Sequence, residues 1–389
     1  MKILWITLES ILPCNTGGRI GVFKRLEQIS KNDEIFLFYP YDKEEELTQI
    51  KELKKYCKKV YPYSRKDNKI HALLNVFKYP YTVGSREILK MKSDIRKCII
   101  EDNIDVVNVD FPHMCVNLLG LDINIPIILN EHNIEWKVYK NIAKSHKNVI
   151  KKMLYFIDSF RLFFYEKKIF QKINFSQITF VSDKDMDYMI EKKIVDANKA
   201  ILIPVGADIN SIINKEHSDK NIIFVGKMSY GPNIEAVKWF VNDIFKKIEN
   251  DIPNVKFLIV GKDPTSEVKK LERNNIIVTG FVKSVEEYYN IADLVVLPLK
   301  NGGGVKVKLL EAISYRKPIV STNIGVEGTY FKESLIPVAD DADTFSRICI
   351  DILKNNYKYK YNQIDTCFIE NYTWDGIGKK YREMIRKLL

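Results

Sequence analysis

Eleven short apolar runs, rich in β-branched residues, recur along this chain with stretches of helix length between them, and this spacing constrains the fold more than any other feature. Strands that are apolar on both faces need cover on both sides, as in a parallel sheet flanked by helices. The runs lie at residues 2–8, 34–39, 105–109, 126–130, 177–182, 200–205, 221–226, 255–261, 275–280, 293–298 and 318–322. The pattern predicts an α/β protein with doubly wound, Rossmann-like layers.

A polar segment without a sustained apolar period, residues 206–220, separates the first six runs from the last five. Because 389 residues exceed what one core usually serves, we expect an N-terminal domain at 1–205 and a C-terminal domain at 206–372. We expect the two to face each other across a cleft, since open parallel sheets bind ligands at the carboxyl ends of their strands. The remaining residues, 373–389, predict an amphipathic basic helix that packs on the second domain or crosses back to the first.

The composition, 46% hydrophobic and 29% charged, argues against extended disorder and against several membrane spans. The apolar start of the chain is interrupted by Glu9, which makes it a poor secretory signal. The apolar stretch 153–164 contains Asp158 and Arg161 and is shorter than the about 20 residues that a span needs. We therefore expect a cytoplasmic protein. The six cysteines form no CxxC pair, so neither structural zinc nor a disulfide framework is expected.

The net charge of +11 is concentrated in residues 51–100, which hold 14 basic and 4 acidic side chains, a local net charge of +10. Such a segment attracts polyanions, and the candidates are nucleic acid, an anionic bilayer surface and a phosphorylated lipid. A solvated lysine-rich surface without a partner explains the charge equally well.

A run of three glycines between a strand and a helix is the most informative motif, LPLKNGGGVKVKLLEAISYRKPIVST. Glycines there leave the first amides of the helix uncovered, and these amides attract anions together with the helix dipole. Lys306 and Lys308 fall in the first turns of that helix, where a diphosphate would offset their repulsion from the dipole. Glu311 shares a helical face with Lys308 and could accept hydrogen bonds from ribose hydroxyls. The alternative is a surface ion pair.

Two further strands end in Gly-Lys, at residues 226–227 and 261–262, and these would present cations at the same sheet edge. No Walker loop is present, because GxxxxGK[ST] does not occur in the chain. In the first half, Gly17, Gly18 and Arg19 form a loop for phosphate or acceptor contact, or a tight turn. His132 follows the strand at 126–130 and would project into the cleft, although a lone histidine is more often structural.

The acidic run at 182–187 has D-x-D spacing, which is compatible with metal binding. Its position between a strand and a helical pattern favours N-capping and dipole complementation instead. No catalytic metal is expected.

These motifs resemble family 4 (group 1) glycosyltransferases of the GT-B fold, most specifically between Gly226 and Gly328. The resemblance implies a UDP- or GDP-sugar donor in the second domain, a saccharide or lipid-linked acceptor in the first, and metal-independent transfer that retains anomeric configuration. The nucleotide-sugar is then a substrate, and no cofactor is implied. The resemblance also assigns catalytic roles to His132, Lys227 and Lys308, acceptor contacts to Gly17, Gly18 and Arg19, and donor contacts to Gly226, Ser229, Lys262, Phe281, Val282, Gly303, Gly304, Val305, Lys306 and Glu311.

One position departs from the family pattern. The first acid of the family's E-x7-E motif would lie eight residues before Glu311, where this chain has Gly303. A sugar contact that many relatives make with a carboxylate must then be made by another group, which puts the donor sugar in doubt.

The expected function is therefore glycosyl transfer in the synthesis of a cell-surface polysaccharide or glycoconjugate, at the inner face of the membrane or in the cytoplasm. A nucleotide-sugar epimerase of similar fold would process its donor without an acceptor. A nucleic-acid-binding protein would use the basic first half, but no recognition motif is present and no nucleic acid is expected. An inactive scaffold is the remaining alternative.

Overall fold

The computed structural model of the protein describes residues 1–14, 17–66, 76–145, 148–209, 220–301, 306–331 and 335–389. The described contacts divide the chain into two units. The first unit contains Met1–Val205 and Ile377–Leu389, and the second contains Gly206–Gly376. Each unit has its own sheet.

The first unit is built on a parallel sheet of seven strands in the order β3-β2-β1-β4-β5-β6-β7. Chain order reverses between β1 and β4, which is the topological switch point of a Rossmann-like sheet. The strands are β1 (Lys2–Ile6), β2 (Glu34–Tyr41), β3 (Lys59–Ser64), β4 (Val106–Asp110), β5 (Ile127–Glu131), β6 (Gln177–Phe180) and β7 (Ala200–Leu202). In the register, Ile3 lies between Ile35 and Val106.

Helices cover both faces of this sheet, so its central strands are almost completely buried, as the apolar runs predict. The α-helices are α1 (Gly17–Ser30), α2 (Ile50–Leu53), α3 (Tyr81–Gly84), α4 (Leu89–Glu101), α5 (Glu135–Ser145), α6 (Val149–Lys172) and α7 (Asp183–Glu191). Ser182 caps α7, its Oγ accepting a hydrogen bond from the amide of Asp185 at 3.4 Å. This is the capping role expected of an acidic run that follows a strand.

The second unit repeats the plan with five parallel strands in the order β10-β9-β8-β11-β12. They are β8 (Lys220–Val225), β9 (Val255–Val260), β10 (Ile276–Gly280), β11 (Leu294–Leu297) and β12 (Ile319–Ser321). The helices are α8 (Gly231–Trp239), continued by a π turn (Phe240–Phe245) and α9 (Lys246–Asp251), then α10 (Ser266–Lys269), α11 (Glu286–Asn290), α12 (Val307–Ser314), α13 (Asn323–Val326), α14 (Ala342–Leu353) and α15 (Tyr361–Asn371). Its switch point lies between β8 and β11.

The predicted α/β class with two Rossmann-like parallel sheets is confirmed, and each of the eleven predicted runs contains a strand. One strand was missed, β3, because its sequence KVYPYS lies in the lysine-rich segment and has no continuous apolar run. It forms the edge of the sheet, where the missing amide of Pro62 can be tolerated.

The final helix, α16 (Trp374–Arg386), begins in the second unit and belongs to the first from Ile377 onward. Tyr381 is completely buried and stacks on Trp5 of β1, with ring centroids 6.1 Å apart. Its hydroxyl contacts the Oδ1 atoms of Asn108 and Asn130, the second at 2.9 Å. Tyr381 of α16 is therefore buried against the first sheet.

Replacing Tyr381 with Phe should lower the free energy of unfolding by about 1–3 kcal/mol, because buried amide oxygens lose a hydrogen-bond donor. Urea denaturation followed by circular dichroism measures the change. Tyr81→Phe is the matched control, since Tyr81 is 40% exposed and its hydroxyl can be solvated. Equal effects of the two substitutions would contradict the assigned role of the Tyr381 hydroxyl.

Candidate functional site

A cavity of about 390 Å³ opens at the switch point of the second sheet, beside the carboxyl ends of β8 and β11. Its volume lies in the range of small-molecule sites, about 300–1,000 Å³, and its position is where open α/β sheets bind ligands. Among the described residues, it is lined by Val225, Gly226, Lys227, Tyr230, Pro232, Asn233, Val285, Leu299, Asn301, Lys306, Val307, Lys308 and Glu311. The Gly-Lys segment after β8 and the residues Lys306, Lys308 and Glu311, which the sequence analysis treated separately, thus meet in one place.

Two glycines allow the ends of β8 and β9 to approach closely. A Cβ atom on Gly261, whose φ is +150°, would lie 1.8 Å from the carbonyl oxygen of Gly226. A Cβ on Gly226 would lie 2.7 Å from Nδ2 of Asn233 and 3.0 Å from Nζ of Lys308. Residue 261 must therefore lack a side chain, and a Cβ at residue 226 would require the side chains of Asn233 and Lys308 to shift.

Lys308 supplies a partly buried ammonium group on the second residue of α12. Its Nζ donates to Oδ1 of Asn233 at 2.7 Å and lies 4.2 Å from the ring centroid of Phe224. Burial lowers the pKa of Lys308 to about 7, while Glu311 opposes that change and Lys306 adds to it. The cavity therefore holds a cation that a bound anion would stabilise.

Glu311 lies one turn further along α12, and the hydroxyl of the buried Tyr289 donates to its Oε2 at 3.3 Å. Burial raises the pKa of Glu311, although the Tyr289 hydroxyl and the charge of Lys308 partly offset this effect. The alternative of a solvent-exposed Lys308–Glu311 ion pair is wrong, because both groups are partly buried and line the cavity. Lys306, at the N-cap of the helix, is 8% exposed.

Several other sequence-predicted donor residues lie outside the lining. Ser229 and Lys262 are exposed, Phe281 is 75% exposed, and Val282 packs partly against the core of the second unit. Lys227 does line the cavity and forms an ion pair of 3.7 Å with Asp263. The predicted contacts Gly303, Gly304 and Val305 lie outside the described residues.

In the first unit, His132 lies directly after β5 and is tied to a buried carboxylate. Its Nε2 lies 3.0 Å from Oδ1 of Asp110, the last residue of β4. Trp5 donates to the other carboxylate oxygen through its indole nitrogen, and Arg25 approaches to 3.9 Å. An ionised carboxylate only accepts hydrogen bonds, so this contact places a proton on Nε2 of His132.

Phe111 covers the imidazole. Its ring stacks on His132 with centroids 4.2 Å apart and planes inclined by 11°. The backbone of Phe111 has a φ of +68°, a conformation that costs a non-glycine residue about 1–3 kcal/mol. A Cβ on Gly18 would lie 4.0 Å from this ring, so the predicted glycine loop and His132 share one neighbour.

The predicted acceptor residues sit at the start of α1. Gly17 and Gly18 are its first two residues, and the Arg19 guanidinium binds Glu9 with two hydrogen bonds of 3.0 and 2.7 Å. The Arg19 guanidinium is therefore paired with a carboxylate of its own chain.

Sequence reasoning missed three residues that complete these sites. Asp110 ends β4, and His132 directly follows the neighbouring strand β5. The strand pattern could therefore have indicated that these two side chains lie close together. Tyr289 in α11 and Val285 just before it could not be assigned in this way. Only the tertiary fold brings this part of the chain close to Glu311 and the cavity.

A second cavity, of about 640 Å³, lies at the opposite end of the first sheet, near the amino end of β5. Ligands of open α/β sheets bind at carboxyl ends, and this cavity contains a single described cationic side chain, Lys172. In the described part of the chain, no three His, Cys, Asp or Glu side chains are grouped so that they could hold a metal ion. The cavity at β8 and β11 remains the best candidate site.

Comparison with known proteins finds similarity in sequence and in fold. Residues 219–355 match the family model described as "Glycosyl transferases group 1". An uncharacterized 44.6 kDa protein in the cps region of Klebsiella pneumoniae is 25% identical over 369 residues, covering 91% of each chain. A glycosyltransferase from Rickettsia africae is similar in structure, with a TM-score of 0.63, 13% identity, and coverage of 100% of this chain and 98% of the other. Anabaena Alr3699/HepE, solved with UDP, has a TM-score of 0.59 at 12% identity, with both chains fully covered.

The fold is therefore that of GT-B glycosyltransferases, with two Rossmann-like sheets. The second unit carries a group 1 glycosyltransferase domain, and the protein is a glycosyltransferase enzyme. Within the described residues, no helix combines the length and apolarity needed to cross a membrane.

Gly261→Ala should lower the free energy of unfolding by about 2 kcal/mol or more, because the new Cβ collides with the backbone of Gly226 and the φ of +150° strains it. Thermal and urea denaturation measure the loss. Gly231→Ala is the control, since a Cβ there meets no atom within 4 Å. Similar stability of both variants would contradict the close approach of β8 and β9.

Proposed function

We propose that the protein is a family 4 glycosyltransferase that transfers a sugar from a UDP- or GDP-sugar to a saccharide or lipid-linked acceptor, with retention and without a metal. The observation that carries this proposal is the partly buried ammonium of Lys308 in a cavity at the switch point, one turn from Glu311. A diphosphate would neutralise the cation, and a ribose would use the carboxylate.

In this scheme the donor diphosphate binds between Lys308 and the backbone of Gly226, with Lys306 and Lys227 adding positive charge. The proposed contacts of Gly303, Gly304 and Val305 follow from the family resemblance alone. The predicted base contacts of Phe281 and Val282 are supported less well than a contact with Val285, which lines the cavity. HepE, with its similar fold, was solved with UDP, with UDP and glucose and with UDP-glucose, which favours uridine as the first base to test.

Departure of the nucleoside diphosphate builds negative charge on its β-phosphate. Fixed cations in a partly desolvated cavity stabilise such charge without reorganising, which is the role proposed for Lys308 and Lys227. His132 would contact the donor sugar, and Asp110 would hold the imidazole in a single orientation and tautomer through Nε2.

The first unit is proposed to bind the acceptor, with Gly17, Gly18 and Arg19 among the contacts. The cps-region relative supports a role in cell-surface polysaccharide synthesis. The basic segment 51–100 favours an acceptor at an anionic membrane surface. Incubation with donor alone distinguishes transfer from epimerisation, since an epimerase releases an isomerised nucleotide-sugar without acceptor.

Lys308→Met should lower turnover about 100- to 1,000-fold, because the transition state loses a charged donor at the leaving group. The donor is first identified by thermal shift with UDP-sugars and GDP-sugars, and sugar transfer is then measured with EDTA present. Lys283→Met is the control, since Lys283 is exposed and does not line the cavity. A strict requirement for added divalent metal, or equal turnover of both variants, would contradict the mechanism.

The affinity for UDP-glucose should decrease as the pH rises above about 7. The empty site releases the Lys308 proton near this pH, and an anion binds the protonated form, so binding must take up a proton. The Kd should rise by up to about tenfold per pH unit between about pH 7 and about pH 9. Isothermal titration calorimetry in buffers of different ionisation enthalpy measures both affinity and proton uptake.

Lys308→Arg is the matched variant, because a guanidinium stays protonated over this range and should remove the slope. The diphosphate diester of UDP-glucose does not titrate there. A slope that persists in the arginine variant would assign the proton to another group.

A further inference from the structure

Helix α6 has one face in the core and one face in solvent, although its sequence is apolar on both. The buried face consists of Ser159, Leu162, Tyr165, Glu166 and Ile169. The opposite face is an apolar ridge of eight large side chains that are 46–77% exposed: Val149, Ile150, Met153, Leu154, Phe156, Ile157, Phe160 and Phe164. Their spacing of three and four residues aligns them along one side of the helix.

The two charged residues that interrupt this apolar stretch are used to hold the helix in place. The Arg161 guanidinium donates to the carbonyl oxygens of Val76 and Tyr79, the second at 2.5 Å. Asp158 accepts a hydrogen bond from the backbone amide of Tyr81. Phe77, which is 99% exposed, lies within the segment that Arg161 contacts.

The charge around the apolar ridge is positive. Five lysines of α6 are exposed, Lys151, Lys152, Lys167, Lys168 and Lys172. The two acids of this helix are withdrawn from solvent, with Glu166 buried and the side chain of Asp158 only 16% exposed. Lys78 and Lys168 both approach the ring of Tyr79, at 4.9 and 6.0 Å. The segment beside Phe77 therefore carries the same sign of charge.

An anionic phospholipid bilayer satisfies both features of this surface. Its acyl region accepts the phenylalanine and leucine side chains, and its anionic headgroups attract the lysines. A second copy of this chain would cover the apolar ridge but would not neutralise the lysines. A two-fold interface would bring the exposed lysines of the two copies close together. We propose that the apolar ridge of α6 docks the protein on an anionic bilayer surface, lying along the interface without crossing it.

This inference gives the proposed membrane contact a specific surface, and it rests on that part of the proposed function but not on sugar transfer. Co-sedimentation of the full chain with vesicles of phosphatidylcholine, with and without phosphatidylglycerol, tests it directly. We expect binding to the anionic vesicles that weakens several-fold as salt is raised, and little binding to the neutral ones. Equal binding to both compositions, or binding to neither, would overturn the proposal.

The double variant Phe160→Gln with Phe164→Gln should lower the vesicle partition coefficient at least about tenfold. Leu89→Gln with Ile100→Gln is the matched control, because these two residues of α4 are each 67% exposed in the same unit. Lys167→Gln with Lys168→Gln should lower binding to anionic vesicles more than Lys54→Gln with Lys90→Gln, whose lysines are exposed in the basic segment 51–100. Equal losses within either pair would overturn the assignment to α6.

Thermal unfolding and UDP-glucose binding are measured for every variant. These two measurements distinguish a loss of membrane docking from a loss of folding or of donor binding. Unchanged melting and unchanged nucleotide binding, with lost vesicle binding, support the proposal even if the enzyme's donor proves to be different. A dimer in size-exclusion chromatography that dissociates in the phenylalanine variant, without vesicle binding in the parent, would assign the ridge to self-association and overturn it.

Discussion

The chemistry of the second unit depends on the partly buried ammonium of Lys308. Withdrawing a cation from water is unfavourable unless polar groups surround it. Among the described residues, an amide oxygen and an aromatic face contact the ammonium, and the charge of Glu311 favours it. Those contacts constrain their neighbours: Asn233 must reach Nζ, and a Cβ at residue 226 would crowd both groups. The lowered pKa shows that the compensation is incomplete, which is the property that makes the site receptive to an anion.

The two sheets share a topology but use their switch points differently. In the first unit, the ends of β1 and β4 carry aromatic and charged side chains that bind each other, with Asp110 contacted by Trp5 and His132. In the second unit, β8 is followed by Gly226, and an open cavity lies beside the ends of β8 and β11. The same backbone plan therefore gives a rigid, hydrogen-bonded histidine in one case and a volume suited to a ligand in the other.

The fold was predictable because continuous apolar strands allow few arrangements other than covered parallel sheets. The candidate site was predictable in part: Gly226, Lys306, Lys308 and Glu311 lie at strand ends or on one helical face, and local spacing brings such residues together. Residues whose roles depend on tertiary packing could not be predicted. Tyr289 is an example, because it contacts Glu311 from another helix. Strand β3 was missed for a related reason, since an edge strand needs no continuous apolar run.

The apolar stretch of α6 shows what hydropathy alone cannot decide. Asp158 and Arg161 argued against a membrane span in the sequence. The structure satisfies both charged groups on the protein side and leaves the phenylalanines outside, because a helix separates residues that are adjacent in sequence onto different faces. The positive charge of the first half then has two distinct sources. The exposed lysines of α6 lie beside an apolar surface and suit an anionic interface. The basic segment 51–100 produces a field that extends only about a Debye length into solvent. Only the first can hold a protein at fixed depth, since electrostatic attraction without apolar insertion is screened by salt.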